Sequence, residues 1–261
     1  MNGNPMRAQP PRRSRPVIVG RKVETERLAS NLRRGIHTLV FGAPGTGKSA
    51  VLQECADRLN ASSEPVPLYV RESATRTRLL MAACAELAVR DGRSVPSESR
   101  GRPYLRDLRN FLIASGKRQR VCLLLDHLPR LRHGLRHLLE ILEQHFTLAC
   151  AVTAVQHAYD LYYWGFDKIE VRDLPRDIAH TWVNQELEQI GYAEPLRNRL
   201  AREVTRLSAG NPGKIVETIS AIRRQTLPLN DPIQVRRMFI DGLILCYRAD
   251  DEDCPMRRTT G

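Results

Sequence analysis

Short apolar runs alternate with stretches of helical period along the first two thirds of the chain. Each run is rich in aliphatic residues and too short for a buried helix, so it predicts a strand covered on both faces. Between the runs, apolar residues recur three and four positions apart, as in amphipathic helices. Four such runs predict strands at residues 37–41, 66–70, 121–125 and 146–155, and the shorter segment DKIEV at 167–171 is the predicted fifth strand. This alternation predicts an α/β fold with a five-stranded, doubly wound parallel sheet.

From Pro175 onward the strand pattern disappears and only helical periodicity remains. We therefore predict a small α-helical lid after the sheet, with helices at 178–190, 196–207, 212–224 and 232–247. Both chain ends are poor in large apolar residues, which is typical of disorder. The predicted organisation is a disordered basic arm at 1–16, an α/β domain at 17–173, the helical lid at 174–248 and a flexible tail at 249–261.

Basic residues outnumber acidic residues by 41 to 29, which gives a formal net charge of +12. Five of the basic residues are lysines and the rest are arginines, which make bidentate contacts to phosphate. DNA or RNA is therefore a candidate partner. Biased codon usage is the alternative explanation, because the charge is spread along the chain. A protein partner and self-association also stay open.

Six cysteines are scattered without a C-x-x-C spacing, and several lie inside apolar runs. This pattern favours reduced, buried thiols over a disulfide framework or a zinc site. The N-terminal segment lacks the apolar stretch of a signal peptide, and no segment approaches the roughly 20 apolar residues of a membrane span. We expect a cytoplasmic protein without a membrane partner.

The segment after the first predicted strand, GAPGTGKS at residues 42–49, matches G-x-x-x-x-G-K-[ST] at every position. In such a loop, backbone N–H groups and the positive end of the next helix surround phosphate groups. Lys48 is placed to reach the β- and γ-phosphates, and the Ser49 hydroxyl to ligate Mg²⁺. We predict that a nucleotide is bound by Gly42, Ala43, Pro44, Gly45, Thr46, Gly47, Lys48, Ser49 and Ala50.

A carboxylate follows the third predicted strand, VCLLL. Asp126 should emerge at the carboxyl edge of the parallel sheet, the same edge as the 42–49 loop. An acid there holds Mg²⁺ through water, so Ser49 and Asp126 are the predicted metal-binding residues. The alternative is that Asp126 only caps the next helix.

Four segments together resemble the AAA+ and STAND-type P-loop ATPases, particularly the Orc/Cdc6-like, transposition-helper and NB-ARC-like branch. They are VIVGRKVETERL at 17–28, GAPGTGKS at 42–49, CLLLDHL at 122–128 and SAGNPGKIVE at 208–217. The resemblance, which spans residues 17–225, implies a P-loop sheet of the AAA+/ASCE type, ATP and Mg²⁺ as cofactors, and ATP hydrolysis. It also implies that Val19, Gly20 and Arg21 lie near the adenine, chiefly through backbone and apolar contacts.

The resemblance assigns roles to two further polar residues. Thr153, just past the strand LACAV, falls where the family has sensor 1, which orients the attacking water; threonine is also an ordinary strand residue. Lys214 is the candidate sensor 2 cation. It stands four residues after Gly210, where AAA+ proteins more often have an arginine three residues after the glycine, and the segment also fits simple punctuation of a helix start by Pro212.

Two departures from the family pattern bear on turnover. Where hydrolytic members usually have an acid after the Walker B aspartate, this chain has His127, which can accept a proton near pH 7 but carries no fixed negative charge. No arginine precedes the fifth strand, where the family has its arginine finger; Lys168 and Arg172 are the nearest cations. Both departures favour a slow switch over a fast motor. The predicted catalytic residues are Lys48, Asp126, His127, Thr153 and Lys214.

Three functions share this predicted ATP site. The first is an ATPase whose nucleotide states reposition the lid and so control a partner. The second is a DNA-associated ATPase helper for transposition, replication or repair. The third is a nucleotide-binding scaffold without turnover, which follows from the histidine at position 127.

Overall fold

The computed structural model describes residues 19–62, 65–71, 73–95, 105–153, 161, 165–224, 233 and 236–237. Its strands are β1 (Thr38–Phe41), β2 (Val66–Val70), β3 (Val121–Leu125), β4 (Thr147–Val152) and β5 (Asp167–Glu170). Its helices are α1 (Lys22–Arg34), α2 (Lys48–Ser62), α3 (Arg76–Asp91), α4 (Leu105–Gly116), α5 (His133–Glu143), α6 (Arg176–Ile190), α7 (Leu196–Ser208) and α8 (Pro212–Arg224).

The five strands form one parallel sheet in the order β2-β3-β4-β1-β5, which confirms the predicted fold class. Strand β1 lies between β4 and β5, with Thr38 opposite Ala149 on one side and Asp167 on the other. Because all strands run the same way, the residues that follow them meet at one edge. The 42–49 loop follows β1 and Asp126 follows β3, so both lie at this edge.

Alternate residues of β1, β2, β3 and β4 pack into different hydrophobic clusters, one on each face of the sheet. In β3, Leu123 and Leu125 pack with α3, α4 and α5, whereas Cys122 and Leu124 pack with α1 and α2. All five residues of β3 are buried. Burial on both faces is what an uninterrupted apolar strand predicts, since neither face can be left to water.

Two predicted boundaries differ from the structure. The helical period of residues 129–145 predicts a helix that starts at Pro129, but α5 begins at His133. The Leu128 N–H donates to Ala151 O, which holds the start of this segment beside β4. The fourth strand was predicted to extend to residue 155, but it ends at Val152, and residues 154–155 lie outside the described residues.

Helices α6, α7 and α8 pack around an apolar cluster of their own, which includes Trp182, Leu200 and Ile215. Arg223 on α8 donates to Glu186 on α6 at 2.6 Å. These helices are the described part of the predicted lid, and the division into domains stays a prediction. The predicted helix at 232–247 is described at three residues only, and the arm at 1–16 and the tail at 249–261 lie outside the described residues.

Four of the six cysteines are described, and each is free and buried, as predicted. Burial raises the pKa of the Cys55, Cys84, Cys122 and Cys150 thiols to about 12, so they stay protonated at neutral pH. Cys246 and Cys254 lie outside the described residues. No helix in the described ranges is both long enough and apolar enough to cross a membrane. The cytoplasmic location stays a prediction.

Candidate functional site

The glycine loop, residues Gly42–Ser49, joins β1 to the first turn of α2. Thr46 closes it from within, because its buried hydroxyl donates to Ala43 O at 2.9 Å. Lys48 Nζ donates to the Gly42 and Ala43 carbonyls, both at 2.8 Å. Helix α2 begins at Lys48, so the N–H groups of its first turn and the positive end of its dipole lie at the end of the loop.

The charges of Lys48 and Asp126, both predicted site residues, lie within interaction range of each other. Partial burial lowers the pKa of the Lys48 ammonium, and the negative charge of Asp126 opposes this shift. Asp126 is itself only 2% exposed. A buried carboxylate opposite a half-buried ammonium is an arrangement that can position a metal and phosphate oxygens between them.

The Asp126 carboxylate is held by hydrogen bonds that the sequence did not predict. Tyr69 on β2 donates its hydroxyl to Asp126 Oδ2 at 2.7 Å, and the His127 backbone N–H donates to Oδ1 at 2.9 Å. Ser73 donates to the Asp126 backbone oxygen at 2.5 Å. Burial, together with the hydrogen bond and charge of Asp126, raises the pKa of Tyr69, so the phenol remains a donor.

His127 has a left-handed backbone with φ of 49°, uncommon for a residue other than glycine. Its side chain is 68% exposed, and Nδ1 lies 3.3 Å from Asp126 Oδ2. The ring therefore sits at the solvent side of the buried carboxylate. This position is compatible with accepting a proton at the edge of the site, and the catalytic role of His127 stays a prediction.

The side chain of Arg21 contacts the glycine loop. The guanidinium, 5% exposed, donates to Thr46 O at 2.8 Å and to Arg172 O, and it pairs with Glu24 at 3.1 Å. The side chain of Arg21 thus bonds to backbone carbonyls of the loop and of the residue after β5. The adenine contacts that the resemblance implies for Val19, Gly20 and Arg21 stay a prediction. Its neighbours Val19 and Gly20 pack against Leu174 and Ile178.

The first turn of α8 is bonded directly to the glycine loop. Asn211 Nδ2 donates to Pro44 O at 3.0 Å and to Asp173 Oδ1 at 2.9 Å, while its Oδ1 accepts from the Lys214 N–H at 3.2 Å. The Gly213 N–H donates to Gly45 O at 2.8 Å. Asn211 thus caps α8 and fixes it to the loop with the same side chain.

The approach between loop and helix leaves no room for side chains. A Cβ on Gly45, whose φ is 79°, would lie 2.4 Å from Asn211 Oδ1. A Cβ on Gly213 would lie 2.8 Å from the Gly45 Cα. Both glycines are therefore required by the contact itself.

Two other predicted residues, and Arg172 after β5, lie near the site without a demonstrated role. Lys214 is exposed on the first turn of α8, the turn that contacts the loop. Thr153 is exposed directly after β4, at the same sheet edge as Asp126. Arg172 is 79% exposed and pairs with Glu170 at 2.6 Å, which raises the pKa of Arg172.

The sequence also matches a known protein family. The AAA ATPase domain family matches residues 17–154, more than half of the chain. The chain belongs to the AAA ATPase family.

Solved structures share the fold of this AAA ATPase at low sequence identity. The Walker-type ATPase PABY2304 of Pyrococcus abyssi superposes with a TM-score of 0.63 at 15% identity, covering 92% of this chain and 77% of that one. The Orc1 protein of Aeropyrum pernix in complex with DNA gives 0.61 at 18% identity, covering 85% and 66%. Drosophila ORC bound to DNA gives 0.55 at 12% identity, covering 84% and 60%. None of the curated proteins compared with the chain matches it.

The residues of this AAA ATPase fit a nucleotide and a divalent cation. The left-handed glycines 45 and 47 let the loop backbone turn tightly, and the Lys48 ammonium already bonds to two carbonyls of that loop. Ser49 and Asp126 offer the hard oxygen ligands that Mg²⁺ prefers. Mg²⁺ bound there would neutralise phosphate charge during ATP hydrolysis.

Tyr69 and Asn211 contact predicted site residues but were not predicted from the sequence. A tyrosine in a buried strand needs a partner for its hydroxyl, which was a usable signal. Asn211 precedes Pro212, and Asn at the N-cap followed by Pro at the first helical position is a recognisable helix start. Neither signal predicts the partner residue, because Asp126 is distant from Tyr69 in sequence and Pro44 is distant from Asn211.

Replacing Tyr69 by Phe tests whether the phenol positions Asp126. Tyr69→Phe keeps the ring and removes one donor to a carboxylate, an interaction worth about 1.5–3 kcal/mol. We expect roughly tenfold lower Mg²⁺-dependent ATP turnover at limiting Mg²⁺ and a higher Mg²⁺ concentration at half-maximal rate. Phosphate release over a Mg²⁺ titration measures both. Tyr192→Phe in the helical lid is the matched control, and an unchanged Mg²⁺ dependence in Tyr69→Phe would contradict the assignment.

Proposed function

We propose that this AAA ATPase uses ATP binding, followed by slow hydrolysis, as a conformational switch that controls a partner. The observation that carries the proposal is the bonding of Asn211 and Gly213 to Pro44 and Gly45. These bonds join the lid directly to the loop that we propose holds the phosphates. A change in the loop is therefore a change at the start of α8.

The tightness of this contact supports mechanical coupling. The clearances at Gly45 and Gly213 are below normal van der Waals distances for any added atom, so the loop cannot shift toward α8 without displacing it. Lys48 must exchange its bonds to the Gly42 and Ala43 carbonyls for phosphate oxygens when a nucleotide binds. These carbonyls directly precede Pro44 and Gly45, so the rearrangement reaches the residues that hold the lid.

We expect slow hydrolysis because the residue beside Asp126 is His127 and not an acid. His127 supplies an exposed imidazole where a carboxylate would carry a fixed negative charge, so proton transfer from water is less favoured. If His127 accepts no proton at all, the protein is instead a nucleotide-binding scaffold without turnover. The two alternatives differ only in whether phosphate is released.

A second candidate function is a nucleic-acid-associated ATPase. The observation that favours it is the net charge of +12, carried mainly by arginine. Two of the solved structures that share the fold were determined with DNA, although this chain spans about two thirds or less of each. DNA binding that is stimulated by ATP and falls steeply with salt, measured by fluorescence anisotropy, would favour this candidate.

Replacing Lys48 by Ala tests the nucleotide site on which the proposal rests. The loop loses its ammonium, so we expect ATP binding to weaken by roughly 10- to 100-fold, as for loss of a charge-assisted bond to phosphate. Binding of a fluorescent ATP analogue measures this. Lys117→Ala, which removes a lysine outside the glycine loop, is the matched control. Unchanged ATP affinity in a folded Lys48→Ala protein would contradict the assignment of the glycine loop as the nucleotide site.

Replacing Asn211 by Ala tests the coupling itself. The loop loses its side-chain bond from the lid, and α8 loses its cap, at a cost of about 1–2 kcal/mol. Fraying of the first turn also weakens the bond that the Gly213 N–H donates to Gly45 O. We expect amide hydrogen exchange in the first turn of α8 to rise roughly tenfold without nucleotide and to become insensitive to ATP, while ATP still binds. Asn184→Ala on α6 is the control within the same helical group. An ATP-induced exchange change that persists in Asn211→Ala would refute the coupling.

Replacing His127 by Glu tests the proposed cause of slow turnover. A carboxylate restores a fixed negative charge at this position, and a general base contributes about 100-fold or more when it is well placed. We expect phosphate release to increase at least about tenfold, while His133→Glu on α5 leaves it unchanged. An unchanged rate would show that water is activated in another way. Background release in both proteins despite tight ATP binding would support the scaffold alternative.

A further inference from the structure

A polar cleft of about 440 Å³ opens at the amino edge of the sheet, opposite the glycine loop. It lies among the C-terminal ends of α1, α4 and α5 and the first residues of β1, β3 and β4. Its charged and titratable lining comprises His37, Lys117, Arg118, Arg120, Glu143 and His145. The proposed ATP site uses none of these residues.

The cleft carries an excess of positive charge. Lys117, Arg118 and Arg120 are exposed, and within the described residues none of them is in an ion pair. Glu143 is the single acid in the described lining. An anion that enters the cleft therefore meets three cations whose charge is not already satisfied by protein carboxylates.

His37 adds a neutral donor to these cations. Its Nδ1 accepts from the Leu148 N–H at 3.1 Å, and its ring stacks on Phe166 with centroids 5.2 Å apart. Burial lowers the pKa of His37, so the ring is neutral at pH 7. A neutral imidazole that accepts at Nδ1 carries its proton on Nε2, which leaves Nε2 as the donor.

The positive surface extends beyond the cleft along the end of α1. Arg33 and Arg34 form the last turn of this helix, directly before Gly35 in the cleft wall. Arg120 lies against the same wall, since its Nη2 is 3.4 Å from where a Cβ of Gly35 would be. The charge therefore spans more than one phosphate group, which suits a polymer better than a small anion.

We propose that this cleft binds the phosphodiester backbone of a nucleic acid through Lys117, Arg118 and Arg120. The proposal rests on the nucleic-acid-associated candidate function and supplies its contact surface. Arginine pairs with phosphate oxygens bidentately, and contacts of this kind position a nucleic acid without reading its sequence. Binding is therefore tolerant of sequence and strongly dependent on salt.

Nucleic acid in the cleft would not compete with ATP. Strand β1 begins at Thr38 beside the cleft and ends at Phe41 beside the glycine loop. Four residues of strand separate the two sites, which corresponds to about 13 Å. Both sites are therefore accessible at the same time from opposite edges of the sheet.

The test compares the full chain with the Lys117→Ala/Arg118→Ala/Arg120→Ala variant, using anisotropy of a labelled 30-base-pair duplex over a salt series. We expect roughly tenfold weaker binding at low salt. The slope of log K against log salt should fall by about 0.9 for each lost phosphate contact. The matched control is Arg199→Ala/Arg202→Ala/Arg224→Ala, which removes the same charge from exposed positions on α7 and α8. Thermal unfolding and ATP-analogue binding check that both variants are folded.

Each outcome decides between the site and its alternatives. Weak binding by the cleft variant alone supports the proposal. Equal losses in the two variants show diffuse charge and overturn it, as does unchanged binding by the cleft variant, while both leave the nucleic-acid-associated function standing. No duplex binding by the unaltered chain overturns the site and that function together. If no duplex binds, and inorganic phosphate raises the melting temperature of Lys48→Ala but not of Lys48→Ala combined with the three cleft substitutions, the cleft is assigned to a small anion instead.

Discussion

Burial of the sheet on both faces is the constraint from which the arrangement of polar groups follows. Leu123 and Leu125 fill one face of β3 and Cys122 and Leu124 fill the other, so the strand interior has no place for charged chemistry. Polar groups can only collect where strands begin or end. At the carboxyl edge these are the glycine loop, Asp126 and Thr153. At the amino edge they are the basic cleft and His37.

The glycine loop is held by segments from distant parts of the chain. Arg21 bonds to it from the segment before β1, and Asn211 bonds to it from the lid, 167 residues beyond Pro44. Arg21 also bonds to the carbonyl of Arg172, where the chain passes from β5 toward the lid. The loop is thus the point where the sheet, the preceding segment and the lid meet, and a ligand that alters it acts on all three.

The sheet could be predicted from sequence because its determinants are local. Apolar runs marked β1 to β4, and the 42–49 motif marked the loop, since each pattern lies within one short segment. The bond from Tyr69 to Asp126 could not be predicted, because it depends on β2 lying beside β3 in the strand order. The start of α5 also escaped prediction, because a contact with β4 overrides its helical pattern.

The two ends of β1 lie beside the two proposed phosphate-binding sites, which differ in kind. At the carboxyl end, the loop offers backbone N–H groups and the half-buried ammonium of Lys48, whose interactions are weakly screened by salt. At the amino end, the cleft offers exposed cations that salt screens strongly. Rising ionic strength therefore weakens the proposed nucleic-acid contact long before it weakens ATP binding. A nucleotide-dependent switch with a separate, salt-sensitive surface can keep its ATP state while it releases the polymer.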